Sequence, residues 1–177
     1  MEKIRAVVVG CGDRGCIYAE EGAKRLGQME IVAAVDPDPV RRKYMHEHFG
    51  VPEEMCFARQ EPLLAMGKIA DCVINGTMDR YHMETAIPFL EAGYDMLLEK
   101  PVVNNEKDLF RIRDTAARHG RKLMICHVLR FTPFYQKIKE LLLAGTIGEI
   151  VCMETSESVG AYHSSVSFLR GKWKSEA

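Results

Sequence analysis

An α/β fold built on a doubly wound parallel sheet is the class this 177-residue sequence predicts. Three observations predict it. Short, near-continuous apolar runs alternate with stretches of helical character, as strands covered on both faces require. Three glycines, Gly10, Gly12 and Gly15, stand at G-x-G-x-x-G spacing where the first run gives way to the first helix. The second run ends in Asp36, 21 residues after Gly15.

The elements follow in order. "IRAVVVG" reads as the first strand, with a helix after it to about Leu26. "EIVAAVD" is the second strand, and "PVRRKYMHEHFG" is a helix closed by Gly50. "MCFA" is a short third strand, and "EPLLAMG" a short helix. "DCVING" is the fourth strand. The helix "RYHMETAIPFLEAG" is expected to take Asp79 as its N-cap, to bend at Pro88 and to stop at Gly93. "YDMLLEK" is the fifth strand. A helix then runs from about Glu106 to His119, capped by Asn105, with Leu109, Ile112 and Ala116 on one face. "KLMICHV" is the sixth strand, and Thr132 caps a helix that opens with Pro133 and ends near Gly145. After Gly148, "EIVCMETSESV" reads as a long strand with no helix behind it. The expected division is therefore a dinucleotide-binding domain over residues 1–128, then residues 129–177 as a linking helix and the start of an incomplete second α/β domain.

Composition narrows the function classes. A formal charge of -1 offers no basic patch for nucleic acid and no acidic tail. No apolar run reaches the roughly 18 residues of a membrane span. The chain enters a strand with no basic leader or cleavage site, which reads as cytoplasmic. The six cysteines form no C-x-x-C pair, and no histidines stand at finger spacing. They read as small buried hydrophobes in a reducing compartment, and no metal site is expected.

The glycines carry the chemistry. Gly10 permits the tight turn, Gly12 lets backbone approach a pyrophosphate, and Gly15 lets the helix pack against the strand. Asp13 and Arg14 belong to the helix N-terminus, whose unpaired N–H groups suit phosphate oxygens. The carboxylate of Asp36 accepts from two ribose hydroxyls and repels a 2′-phosphate, which favours NAD. A flavin or S-adenosylmethionine would use similar contacts, and a glycine-rich turn with no ligand is the remaining alternative. Arg41 and Arg42 have two readings: they accommodate NADP, or they form a solvated helix face.

Glu99 and Lys100, in "LLEKPV", end the fifth strand at the sheet edge where ligands bind. Lys100 either donates to a substrate oxygen and moves a proton, or forms a strand-end ion pair with Glu99. Thr77, Asp79 and His82 follow the fourth strand near the expected nicotinamide position. His82 either lines the site or caps a helix surface.

With these residues in view, the sequence resembles the Gfo/Idh/MocA family, which includes glucose-fructose oxidoreductase and inositol 2-dehydrogenase. The glycine motif, Asp36, "AIPFLEAGYDMLLEKPV" and "HVLRFTPFYQKIKELLLAGTIGEI" carry the likeness. It implies an N-terminal Rossmann domain and an NAD- or NADP-dependent hydride transfer on a sugar, cyclitol or related substrate. It implies that Lys100 is the active-site lysine, that Glu99 supports it, and that the Lys100–Pro101 bond is cis. His127 and Arg130 resemble residues on the substrate side, with strand-end structural contacts as the alternative. Tyr162 and His163 either reach the cleft or belong to a disordered end. Family members run to about twice this length and oligomerise through a second domain. That implies an N-terminal half whose catalytic histidine lies beyond Ala177. A glycosidase that oxidises transiently, or an NAD-binding module without chemistry, stands as the alternative function.

Overall fold

The structure, a computed structural model, describes residues 2–163, 165 and 166. β1 spans Ile4–Val9, β2 Met29–Val35, β3 Cys56–Phe57, β4 Cys72–Asn75, β5 Asp95–Leu98 and β6 Leu123–Ile125. The connecting helices are α1 Asp13–Ala19, α2 Pro39–Phe49, α3 Glu61–Ala65, α4 His82–Glu91 and α5 Glu106–Arg118. A π-helical turn, Glu20–Arg25, continues α1 to the predicted stop near Leu26.

All the strand pairs are parallel, in the order β3-β2-β1-β4-β5-β6. The first three strands build outward on one side of β1, and β4 starts again on the other. That reversal makes the crevice at the carboxyl ends of β1 and β4 the place where a doubly wound sheet takes its ligand. The near-continuous apolar strands pack on both faces. One cluster joins Val7, Val9, Val35 and Val73 to Phe89, Leu90 and Tyr94; the other joins Ala6, Val8 and Ile74 to Ala19 and Met45.

Three local expectations are corrected. Asp79 does not cap α4: it opens a 3-10 turn, Asp79–Tyr81, its Oδ1 accepts from the Arg80 N–H at 2.8 Å, and Tyr81 precedes the α-helix. The buried face of α5 is Ile112, Thr115 and Ala116, while Leu109 lies at its exposed margin. The cysteines are not uniformly buried. Cys11 and Cys126 are, Cys16, Cys56 and Cys72 are partly so, and Cys152 is exposed.

The chain divides into two compact units, residues 1–129 and 130–177. The second unit contains α6, Pro133–Leu143, and a short α7, Ala161–His163. Thr132 stands at the N-cap of α6, but its side chain makes no capping hydrogen bond. "EIVCMETSESV" is not a strand. Residues 149–159 are exposed and irregular, because no described strand offers them a ladder partner. Among the described residues no helix is long and apolar enough to cross a membrane.

Candidate functional site

The carboxyl ends of five parallel strands bring most of the predicted site together. Gly10 and Gly12 follow β1, Asp36 follows β2, Thr77 follows β4, Glu99 and Lys100 follow β5, and His127 follows β6.

At the first turn the glycines answer to different constraints. Gly10 has φ +81°, and a Cβ there would lie 2.7 Å from the Thr77 nitrogen. A Cβ on Gly15 would drive into the Gly10 carbonyl oxygen. Both are therefore required by the chain's own packing. Gly12 differs: its backbone is extended, and the nearest atom to an added Cβ is Arg41 Nη1 at 3.3 Å, the far end of a flexible side chain. The protein's own packing leaves Gly12 room for a side chain, so no internal contact requires a glycine there. No side chain caps α1, and the first N–H groups of a helix have no partner within it. Asp13 and Arg14 are exposed in that first turn.

Gly76 completes this cradle, and sequence reasoning missed it. Its N–H donates to the Val9 carbonyl at 2.8 Å, and a Cβ would meet the Gly15 nitrogen at 2.8 Å. The available signal was a glycine directly after a buried strand, in "VING".

Asp36 is buried at 2% exposure, so its carboxylate needs partners. Oδ2 accepts from the Cys11 N–H at 2.9 Å and Oδ1 from the Asp38 N–H at 2.9 Å. Arg42 Nη1 donates to the Asp36 and Pro37 carbonyls at 2.7 and 2.9 Å, and Arg41 Nη1 lies 3.4 Å from Asp36 Oδ2. The two arginines are thus folded onto the β2–α2 turn rather than forming a solvated helix face. The backbone carbonyls hold Arg42 firmly; Arg41 is held loosely.

At the β4 end, Asn75 is buried and organises the loop. Its Oδ1 accepts from Thr77 N–H and Thr77 Oγ1, and its Nδ2 donates to Thr85 Oγ1. His82 is fully buried. Its Nε2 lies 3.1 Å from the Thr77 carbonyl, and its Nδ1 lies 2.9 and 3.0 Å from those of Pro101 and Val102. It was expected to line the site or to cap a helix surface, but its ring nitrogens do neither. It clasps the β4 loop to the segment after Lys100.

The Lys100–Pro101 peptide is cis. Glu99 is buried, and the two adjacent side chains do not pair with each other. Glu99 Oε1 accepts from the Tyr18 hydroxyl at 2.5 Å, and Oε2 accepts from the Lys100 N–H at 2.9 Å. Burial, with the hydrogen bonds to Glu99 and Cys126, pushes the Tyr18 phenol well above its ordinary range, so it stays protonated and donates. Lys100 is exposed, and its amine has no partner among the described residues. Of the two readings of Lys100, the strand-end ion pair with Glu99 is absent among the described residues, which leaves the amine free at the sheet edge.

His127 is exposed beyond β6, its N–H bound to the Ile125 carbonyl at 2.7 Å. Arg130 and Tyr162 are exposed in the second unit. The side chain of His163 lies outside the described residues. Among the described residues no group of three or more His, Cys, Asp or Glu is placed to hold a metal ion.

Comparison with known proteins agrees with this geometry. Residues 4–127 match the Gfo/Idh/MocA family model, described as an oxidoreductase family with an NAD-binding Rossmann fold. The Bacillus subtilis protein YteT is 30% identical over 145 residues, covering 80% of this chain and 33% of its own length. Inositol 2-dehydrogenase of Corynebacterium glutamicum is 26% identical over 153 residues, covering 86% of this chain and 44% of that protein. The WlbA dehydrogenase from Bordetella pertussis, solved with NADH and UDP-GlcNAcA, superposes with a TM-score of 0.77 at 26% identity, over 84% of this chain and 44% of that one. The chain thus spans less than half the length of these relatives. The family match covers most of the chain, its strand order and its glycine cradle, and on that ground the chain belongs to the Gfo/Idh/MocA family of oxidoreductases with an NAD-binding Rossmann fold.

Proposed function

We propose that residues 1–129 bind NAD for an oxidoreductase that acts on a sugar, cyclitol or related carbohydrate-like substrate in the cytoplasm. The observation that carries this reading is Gly12. It is extended and needed by no internal contact, yet it stands at the open end of α1 beside a buried Asp36. The residues present fit a dinucleotide. The first-turn N–H groups of α1 and the bare Gly12 backbone take the pyrophosphate, and Asp36 takes the adenosine ribose hydroxyls. Bound NAD supplies a hydride acceptor. The chain's own part is to orient and polarise: Lys100, exposed and unpaired, donates from Nζ to the substrate oxygen and stabilises negative charge there. Two relatives named for inositol or solved with a sugar nucleotide support the substrate class. Asp36 favours NAD over NADP, and a loosely held Arg41 permits some NADP. Assembly into homo-oligomers belongs to the same proposal.

Calorimetry tests the cradle. Val is at home in extended backbone, so Gly12→Val keeps the fold while raising the NAD dissociation constant by about tenfold or more, roughly 1.4 kcal/mol. Unchanged affinity in a folded variant overturns the reading. In the same titrations the unaltered chain binds NAD more tightly than NADP.

A further inference from the structure

We propose that Tyr18 is a positioning residue that keeps Lys100 available by holding the Glu99 carboxylate away from its amine. The proposal deepens the role given to Lys100 above and rests on that role. Glu99 and Lys100 are neighbours in sequence, buried carboxylate beside exposed amine, and the simplest arrangement is an ion pair between them. The structure does not adopt it. Oε1 is occupied by the Tyr18 hydroxyl and Oε2 by the Lys100 backbone N–H. The carboxylate is thus satisfied by a phenol from α1 and by backbone, and the amine remains without a partner among the described residues.

The geometry favours a positioning role over simple packing. Tyr18 is half-buried on α1, the helix whose N-terminus forms the glycine cradle. Its hydroxyl is aimed at the carboxylate at 2.5 Å across 81 positions of sequence. A buried carboxylate that loses one donor must find another, and the nearest cation in sequence is Lys100. Removing the phenol oxygen therefore frees Oε1 to capture the ammonium group. A lysine held in that pair is a weaker donor to a substrate oxygen and a weaker nucleophile. Tyr18 acts through Glu99, the group its hydroxyl contacts.

The experiment reads Lys100 without requiring turnover. The 1–177 chain is treated with limiting acetic anhydride, and acetylation of Lys100 is followed by peptide mass spectrometry against the chain's other lysines. Tyr18→Phe slows Lys100 up to about fivefold, the scale of an exposed ion pair. The other lysines, the circular dichroism spectrum and NAD affinity stay unchanged. Adding Glu99→Gln to Tyr18→Phe removes the competing charge and restores the Lys100 rate, a rescue that a distorted backbone would not show. An unchanged Lys100 rate in Tyr18→Phe, or a double variant as slow as the single one, overturns the proposal. Hydrogen exchange on the unaltered chain gives an independent check: a Lys100 amide with no protection means that Glu99 is not held, and the proposal falls. A chain that binds no NAD yet shows slowing and rescue would overturn the dinucleotide reading and leave the Tyr18 contact standing.

Discussion

Gly12, Asp36 and Tyr18 show how differently single residues answer to their surroundings. Gly12 is constrained by no internal contact, Asp36 is held by backbone donors, and Tyr18 by a partner far away in sequence. The cysteines add a chemical readout at the same scale. Burial pushes the Cys11 thiol far above its ordinary range, with the Asp36 carboxylate adding to the effect. Burial also raises Cys72 to about 11, helped by Asp71 and Asp95. A raised thiol holds its proton, so at pH 8 about one Cys72 in a thousand is the reactive thiolate. Cys152 is exposed. An Ellman titration at pH 8 is therefore expected to show one fast thiol that Cys152→Ser abolishes. Cys72 joins as the pH climbs toward 11, and Cys11 requires unfolding. Fast reaction at Cys11 in the folded chain would contradict the packing around Asp36.

Among the elements, α5 depends on its first turn. Asn105 Oδ1 accepts from the Asp108 N–H at 2.9 Å, while Nδ2 donates to the Asp108 carboxylate at 2.7 Å. Asn105→Ala removes both bonds at a surface position, and should cost about 1 kcal/mol of stability. Urea unfolding is expected to show a lower midpoint with an unchanged slope. This cap was legible in the sequence, as were β1, β2, β4 and β5, because a cap needs its own next three residues and a buried parallel strand needs an apolar run. What depends on distant partners was not legible. The run from Glu149 satisfies every local rule for a strand, yet strands exist only in pairs, and none of the described ones pairs with it. Asp79 has the right side chain for a cap, but the chain tightens into a 3-10 turn before α4. The bond between Tyr18 and Glu99, and the fit of Gly76 against Gly15, join segments that no local pattern connects. The candidate site could be read as a set of residue types at strand ends; the clasps that orient them, Tyr18 and His82, could not.

At the scale of the molecule, the buried core described lies in the first unit, while exposed apolar side chains crowd the much shorter second unit. Every buried hydrophobic residue described falls between Ala6 and Cys126, inside the first unit. α6 buries none of its residues. Phe134 is 68% exposed, and Leu143, Ile147, Val151 and Met153 are also exposed. The first unit therefore holds a buried core of its own, and the second presents exposed apolar side chains, the condition under which chains associate. Residues 1–129 carry the complete sheet, both core clusters, the glycine cradle and the turn holding Lys100. Expressed alone, they are expected to melt within about 3 °C of the 1–177 chain, a difference that corresponds to less than about 1 kcal/mol in a domain of this size. They should also bind NAD with the same dissociation constant. Sedimentation should separate the two forms: the 1–177 chain self-associates as its concentration rises, and residues 1–129 remain monomeric. If the shorter chain loses its cooperative melt or its NAD affinity, the first unit does not hold its core by itself and this expectation fails. If both forms associate equally, the contact surface belongs to the sheet rather than to α6 and the segment after it.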